Sequence, residues 1–224
     1  MKTKKALTFL SLALIGTAWA DAATAVDNDL NRLNMLEGQV MVEVVGQVTN
    51  LPADAEHPFG SSIQYGYVSH VNGIPNVFMS SDPALQNEST AELTFYTEVT
   101  TRRVTVNGPF SIIVREGTTT IYLNSSPASF SNPDSFRSGT PIQASTIRQQ
   151  VIVDGPEKTF TVVNSNTIVS TSDFTLDGQR YLLGSDGQIF RTHLQGVLFT
   201  RSGGAPPPTG HFAGYAIGAD GKKG

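Results

Sequence analysis

From residue 39 onward, apolar and polar positions alternate with a period of two, the pattern of strands buried on one face. Segment 39–48 carries valine at 40, 42, 44, 45 and 48. Segment 62–71 sets Ile63, Tyr65, Tyr67 and Val71 on one face and Gln64 and His70 on the other. Asn72-Gly73 follows, the pair that a type I′ turn prefers because both central residues need positive φ, so 76–80 is expected as a short returning strand. Segment 92–106 is long and β-branched. Asn107-Gly108 then turns it into 109–115, and Glu116-Gly117 turns that into 118–124, a three-stranded meander. Strands resume at 146–154, turn on Gly155-Pro156 and continue through 159–170. Segments 174–176 and 180–183 flank Asp177-Gly178, and Asp186-Gly187 leads into a last long strand, 188–200.

The remaining stretches lack this alternation. Leu30, Leu33 and Leu36 recur at a spacing of three behind Asp27, Asn28 and Asp29, so a turn or two of helix is one reading of 26–38. Segment 125–145 is rich in Ser, Pro and Asn, a loop long enough to be functional or mobile. Gly203-Gly204-Ala205-Pro206-Pro207-Pro208 reads as a linker, and 209–224 as a loose, small-residue tail.

One strand carries more information than its neighbours. In 92–106 the apolar residues are odd-numbered early (Leu93, Phe95, Val99) and even-numbered late (Val104, Val106). A straight strand keeps one parity, so a bulge or bend is expected between Thr100 and Arg103. About nine strands, joined by tight turns with little helix, predict an all-β domain. The expected form is a single antiparallel β-barrel, with a two-sheet β-sandwich as the alternative.

The first residues follow a different rule. Lys2, Lys4 and Lys5 precede an apolar run over 6–15 that is too short to span a bilayer, and Ala18-Trp19-Ala20 closes it with a small-x-small pattern. This predicts a signal peptide over 1–20, cleaved near Ala20, and a secreted or periplasmic protein of bacterial type. The expected organisation is that leader, an N-terminal segment 21–36, an all-β domain 37–200, and a linker and tail 201–224. The chain carries a formal charge of −4, and without the leader twelve basic residues face nineteen acidic ones, a charge of −7. That sign disfavours nucleic acid and anionic lipid as partners. There is no cysteine, which excludes disulfides, thiolate metal sites and cysteine nucleophiles. Asn87-Glu88-Ser89 and Asn124-Ser125-Ser126 match the glycosylation pattern by chance in a bacterial protein.

Candidate chemistry is sparse. No metalloprotease, serine-hydrolase, phosphate-loop or calcium-loop motif is present, and no metal or cofactor is expected. His57, His70, His193 and His211 do not pair at ligand spacing. The residues that could line a pocket are Tyr65 and Tyr67 on one strand face, Tyr96, Arg103 and His193. Arg102-Arg103 is expected to send one guanidinium to each face of its strand, with Glu98 as a candidate partner.

Gly184-Ser185-Asp186-Gly187, with Phe190-Arg191 and Gly196 beyond, resembles the glycine-rich turn and closing strand of dirigent and allene-oxide-cyclase barrels. The resemblance implies a barrel enzyme of cyclase or isomerase type. The residues themselves favour a different reading, a non-catalytic barrel module that binds a small, mostly apolar ligand or serves as a structural or assembly subunit. Homo-oligomerisation is left open. An outer-membrane barrel is a further alternative, set against by the Thr, Glu, Gln and Arg on both faces of the long strands and by the Lys222-Lys223-Gly224 end. A lumen above about 300 Å³, lined by Arg, Tyr and a carboxylate or His193, would favour a pocket. One filled by Val, Leu and Phe would leave a structural module.

Overall fold

The computed structural model describes residues 29–199 and 209–219. The leader with its cleavage site, and the Gly/Pro-rich linker at 203–208, lie outside the described residues. Eleven strands follow one another: β1 (Leu30–Leu33), β2 (Val40–Leu51), β3 (Ser61–Val71), β4 (Leu93–Asn107), β5 (Phe110–Leu123), β6 (Thr140–Asp154), β7 (Thr159–Thr171), β8 (Phe174–Leu176), β9 (Gln179–Leu183), β10 (Ile189–Phe199) and β11 (Thr209–Ala219). Eight of them close an antiparallel barrel in the order β2-β3-β4-β5-β6-β7-β10-β11, with β11 paired back onto β2. The other three make a small sheet, β1 running parallel to β9 and β8 forming a hairpin with it. The fold is all-β, and it is the barrel that forms, not the sandwich.

The period of two is what builds the barrel wall. On β6, Ile147, Gln149 and Val151 are buried while Thr146, Arg148, Gln150 and Ile152 are exposed. On β7, Phe160, Val162, Asn164, Asn166 and Ile168 are the buried set. Eight strands enclose an interior that side chains can just fill, with room at most for one small ligand. Here the large rings of Phe95 and Phe212 fit only because Gly46 and Gly66 face each other across β2 and β3. A Cβ on Gly66 would collide with the Val45 carbonyl oxygen, and one on Gly46 would press on both rings.

The parity switch in β4 is a real bulge. Its register against β5 shifts between Thr101 and Arg103. Beyond Thr100, β4 has outrun β3, so Arg102–Asn107 pairs with β5 alone and is exposed. A bulge sets two residues against one, and both Arg102 and Arg103 consequently face outward. No guanidinium enters the lumen from β4. Arg102 pairs with Glu116 at 3.2 Å, and Glu98 instead meets Arg137 at 3.6 Å.

Several segments differ from the sequence expectation. Glu116-Gly117 is not a turn, because β5 runs unbroken from Phe110 to Leu123. Gly117 is there to admit the neighbouring strand, since a Cβ would collide with the Glu98 carbonyl oxygen. Asn72-Gly73 does turn, with Ile74 N–H donating to the Val71 carbonyl at 3.0 Å. Gly73 alone has positive φ there, so the turn is not type I′, and 76–80 returns only as a single bridge, Phe78 to Ala91. The type I′ geometry occurs at Asp177-Gly178, where φ is 48° and 76°. The leucine spacing at 30–33 forms β1 rather than a helix, drawn into register with β9.

The largest correction concerns the C-terminal stretch. Thr209–Ala219 is not loose: as β11 it pairs with β10 and β2 and completes the barrel. Its small residues are packing choices, since a Cβ on Gly214 would collide with the His193 carbonyl oxygen and one on Gly210 would press into the Phe160 ring. The segment expected as a loop over 125–145 is shorter, because β6 begins at Thr140. The rest, 124–139, is a strap laid over the outside of β3 and β4, with a 3-10 turn at Pro133–Arg137 and Phe136 fully buried.

Candidate functional site

The lumen holds two chambers, of about 70 Å³ and 40 Å³, that share Gln64, Leu194 and Phe212 as a common wall. The larger is mostly apolar, with Val44, Val68, Phe95, Ile121 and Phe190 among its lining. The smaller lies toward the tight β4–β5 and β6–β7 turns and is lined by Asn50, Arg115 and Gln149 among apolar neighbours. Both fall well below 300 Å³, so the lumen is neither an open cup nor a wholly apolar plug.

A polar band crosses this interior. Gln64 Nε2 donates to Gln149 Oε1 at 3.0 Å, and Gln149 Nε2 returns a bond to Gln64 Oε1 at 3.3 Å. The Thr97 and Thr119 hydroxyls bond at 2.8 Å. Asn166 Nδ2 donates to the Phe190 carbonyl and to Thr192 Oγ1. Among the described residues, Arg115 is the only ionisable side chain lining either chamber. It is 6% exposed, and one of its terminal nitrogens donates to Asn50 Oδ1 at 2.8 Å. Its Nε and the Oδ1 of Asn164 have no hydrogen-bond partner among the described residues. Burial lowers the Arg115 pKa to about 10, so it remains a cation at neutral pH.

The five residues expected to line a pocket are not brought together. Tyr65, Tyr67 and Tyr96 do cluster, but on the outer face, beneath the strap. Tyr65 is 2% exposed, stacks with Tyr96 at 6.3 Å and lies 5.5 Å from the Phe136 ring. Its hydroxyl donates to Gln47 Oε1 at 3.3 Å, and Thr49 Oγ1 lies equally close. Tyr67 packs on Phe78 and on Phe130 of the strap. Arg137 stands 4.6 Å over the Tyr96 ring and bridges Asp134 at 2.7 Å. Burial raises the phenol pKa of both Tyr67 and Tyr96.

Arg103 and His193 also face outward, elsewhere on the wall. Arg103 borders an open groove of about 330 Å³ with Arg148 and Arg191. His193 borders another with Gln195 and Tyr215, its ring edge-on to Tyr215 at 5.7 Å. Asn87 and Asn124 are occupied in local turns, accepting from Ser89 N–H and Ser126 N–H respectively. Among the described residues no group of three or more His, Asp or Glu is placed to hold a metal ion.

Arg115, Asn50, Gln64 and Gln149 escaped the sequence reading. A signal for Arg115 existed: it shares parity with Ile113, Thr119 and Ile121, the inward face of β5. The supposed turn at Glu116-Gly117 cut that face in two and hid it. Gln149 likewise sits between Ile147 and Val151 on an otherwise apolar row.

Together these features define the class: a closed, up-and-down, eight-stranded antiparallel barrel with a nearly filled lumen that buries one arginine. No protein-family model matches the chain, and no curated protein or solved structure matches it.

Proposed function

We propose that the protein is a non-catalytic binding module that holds a small, mostly apolar ligand inside the barrel. The observation that carries this reading is that two of the five buried side-chain atoms without a hydrogen-bond partner among the described residues, Arg115 Nε and Asn164 Oδ1, belong to residues bordering an internal chamber. An unmet buried polar group costs about 1–3 kcal/mol, a cost that a polar group of a ligand held in the chambers would offset. Taking about 10–15 Å³ per water-sized group, the chambers suit a ligand of about eight non-hydrogen atoms, threaded past Gln64, Leu194 and Phe212.

The surroundings support a water-exposed barrel rather than a lipid-exposed one. The wall at mid-height carries Arg148, Gln150 and Ser165 outward while the apolar rows face in, the reverse of an outer-membrane barrel. Such a module fits export to the periplasm or medium after removal of the leader. The cyclase reading has no observation in its favour, since the chambers present one cation and neutral amides and hydroxyls.

Thermal unfolding with hexan-1-ol and hexanamide tests the proposal. A ligand at about 100 times its Kd adds about 2.7 kcal/mol, which is a rise in Tm of about 5–10 °C for a domain of this size. Unchanged Tm, together with unchanged amide resonances of Val44, Val68 and Leu194, would leave the barrel as a structural module.

A further inference from the structure

We propose that the small chamber is an anion site, and that the ligand is a short-chain monocarboxylate whose carboxylate binds Arg115 while its alkyl chain occupies the larger chamber. The proposal rests on the lumen-binding reading above and adds to it the chemical class of the ligand.

The argument begins with charge. A cation withdrawn from water carries a penalty of several kcal/mol unless an opposite charge and hydrogen bonds compensate it. Arginines nearer the surface follow that logic: Arg102, Arg137 and Arg180 each meet a carboxylate. Arg115, at 6% exposure the most buried of them, has no carboxylate within ion-pair distance among the described residues. Among the described residues its polar partner is the neutral amide of Asn50. The cation persists at neutral pH, because burial lowers its pKa only to about 10.

Geometry supplies the second part. Arg115, whose Nε has no partner among the described residues, lines a cavity of about 40 Å³, space for roughly three water-sized groups. That matches the three heavy atoms of a carboxylate. The guanidinium edge takes such a planar acceptor in two parallel bonds. A phosphate or sulfate would bring further oxygens that Val151, Val153 and Phe160 in the same lining cannot satisfy. A halide would neutralise Arg115 but would leave the adjoining apolar chamber unexplained.

The test uses the full-length chain in chloride-free buffer at pH 7.5 and compares hexanoate with hexanamide, a neutral ligand of the same size. Bonds to a charged group contribute about 1.5–3 kcal/mol, so hexanoate should bind on the order of 10- to 100-fold more tightly. In Arg115→Met that preference should vanish, the two ligands then binding with equal affinity. Should the variant fail to fold, the wild-type Arg115 Nε–H resonance provides the same answer, shifting with hexanoate and not with hexanamide. Equal affinity for both ligands, with an unmoved Nε–H resonance, would overturn the anion site and leave the lumen reading standing. Absence of any binding would remove the lumen reading and this proposal together. Chloride raising Tm as much as hexanoate does would overturn the carboxylate assignment in favour of an inorganic anion.

Discussion

The barrel buries side chains in two places that differ in how completely they are satisfied. Under the strap, the polar groups that accompany the aromatic rings have partners. The Tyr65 hydroxyl reaches Gln47, Thr94 Oγ1 donates to the Phe136 carbonyl at 2.8 Å, and Asn124 Nδ2 holds the Ser135 carbonyl. In the lumen, an arginine and an asparagine retain free hydrogen-bonding capacity beside small chambers. The outer cluster behaves as a finished core. The inner one is a core with room and unmet valence, which is why the binding proposal belongs there, although aromatic residues at a pocket mouth were the more conspicuous candidates.

Substitutions can separate the two regions, and the largest effect belongs to the seam that lets the lumen hold its rings. Gly66→Ala puts a Cβ against the Val45 carbonyl and the Gly46 Cα. Both obstacles are backbone and cannot yield as a side chain would. Loss of at least about 4 kcal/mol is expected, visible as insoluble protein or a Tm lowered by about 10 °C or more; a Tm within 2 °C of wild type would show that β2 and β3 can part there.

Phe136→Ala attacks the strap alone. A fully buried phenylalanine removed from a packed site costs about 3–5 kcal/mol, while hexanamide binding in the lumen should keep its Kd once the measurement is made well below Tm. A matching loss of affinity would mean that strap and lumen are one unit.

Arg115→Met is expected to act in the opposite direction on stability. Burial holds the Arg115 pKa down at about 10, so carrying the charge is unfavourable in the folded state, and an apolar side chain recovers part of that cost. The anion-free variant should melt several degrees above wild type by scanning calorimetry. The wild-type deficit should itself diminish as pH rises above about 10, where the unfolded chain still binds the proton that the folded chain has lost. A lower Tm for the variant would show that the Asn50 bond outweighs the charge penalty.

The smallest effect is expected at Glu92, beside the strap, whose carboxyl pKa is raised by burial and then by Asp177. A carboxyl raised on folding favours the folded state while protonated and loses that advantage as pH rises through the folded value. Glu92→Gln should therefore gain slightly on wild type between acidic and neutral pH in urea titrations. An identical pH slope for the two proteins would place Glu92 in ordinary solvent.

Local rules made most of the wall readable. Alternation located the long strands, the parity switch marked the bulge at Thr101–Arg103, and Asp177-Gly178 marked its hairpin. What escaped depended on neighbours distant in sequence. Gly117 resembles a turn residue until Glu98 is known to press on it, and 209–219 resembles a loose tail until β10 and β2 are known to flank it. The tyrosines shared a face as expected, but only the position of the strap decides that this face is a covered exterior. Arg115 was legible in principle, and one misread glycine concealed it.

The role of β11 has a consequence for the order of events during folding. Closure pairs Thr209 with Thr49 and Ile217 with Val40, partners 160 and 177 positions apart, whereas β2 to β7 assemble through successive neighbours. Contacts of such long range form late, because the entropy of closing the loop must be met before they contribute. Until β11 is seated, β2 and β10 each present an unpaired edge to other chains, the arrangement from which strand-mediated aggregation begins. A barrel closed by its final strand is consequently most vulnerable to self-association in the interval before that strand is in place.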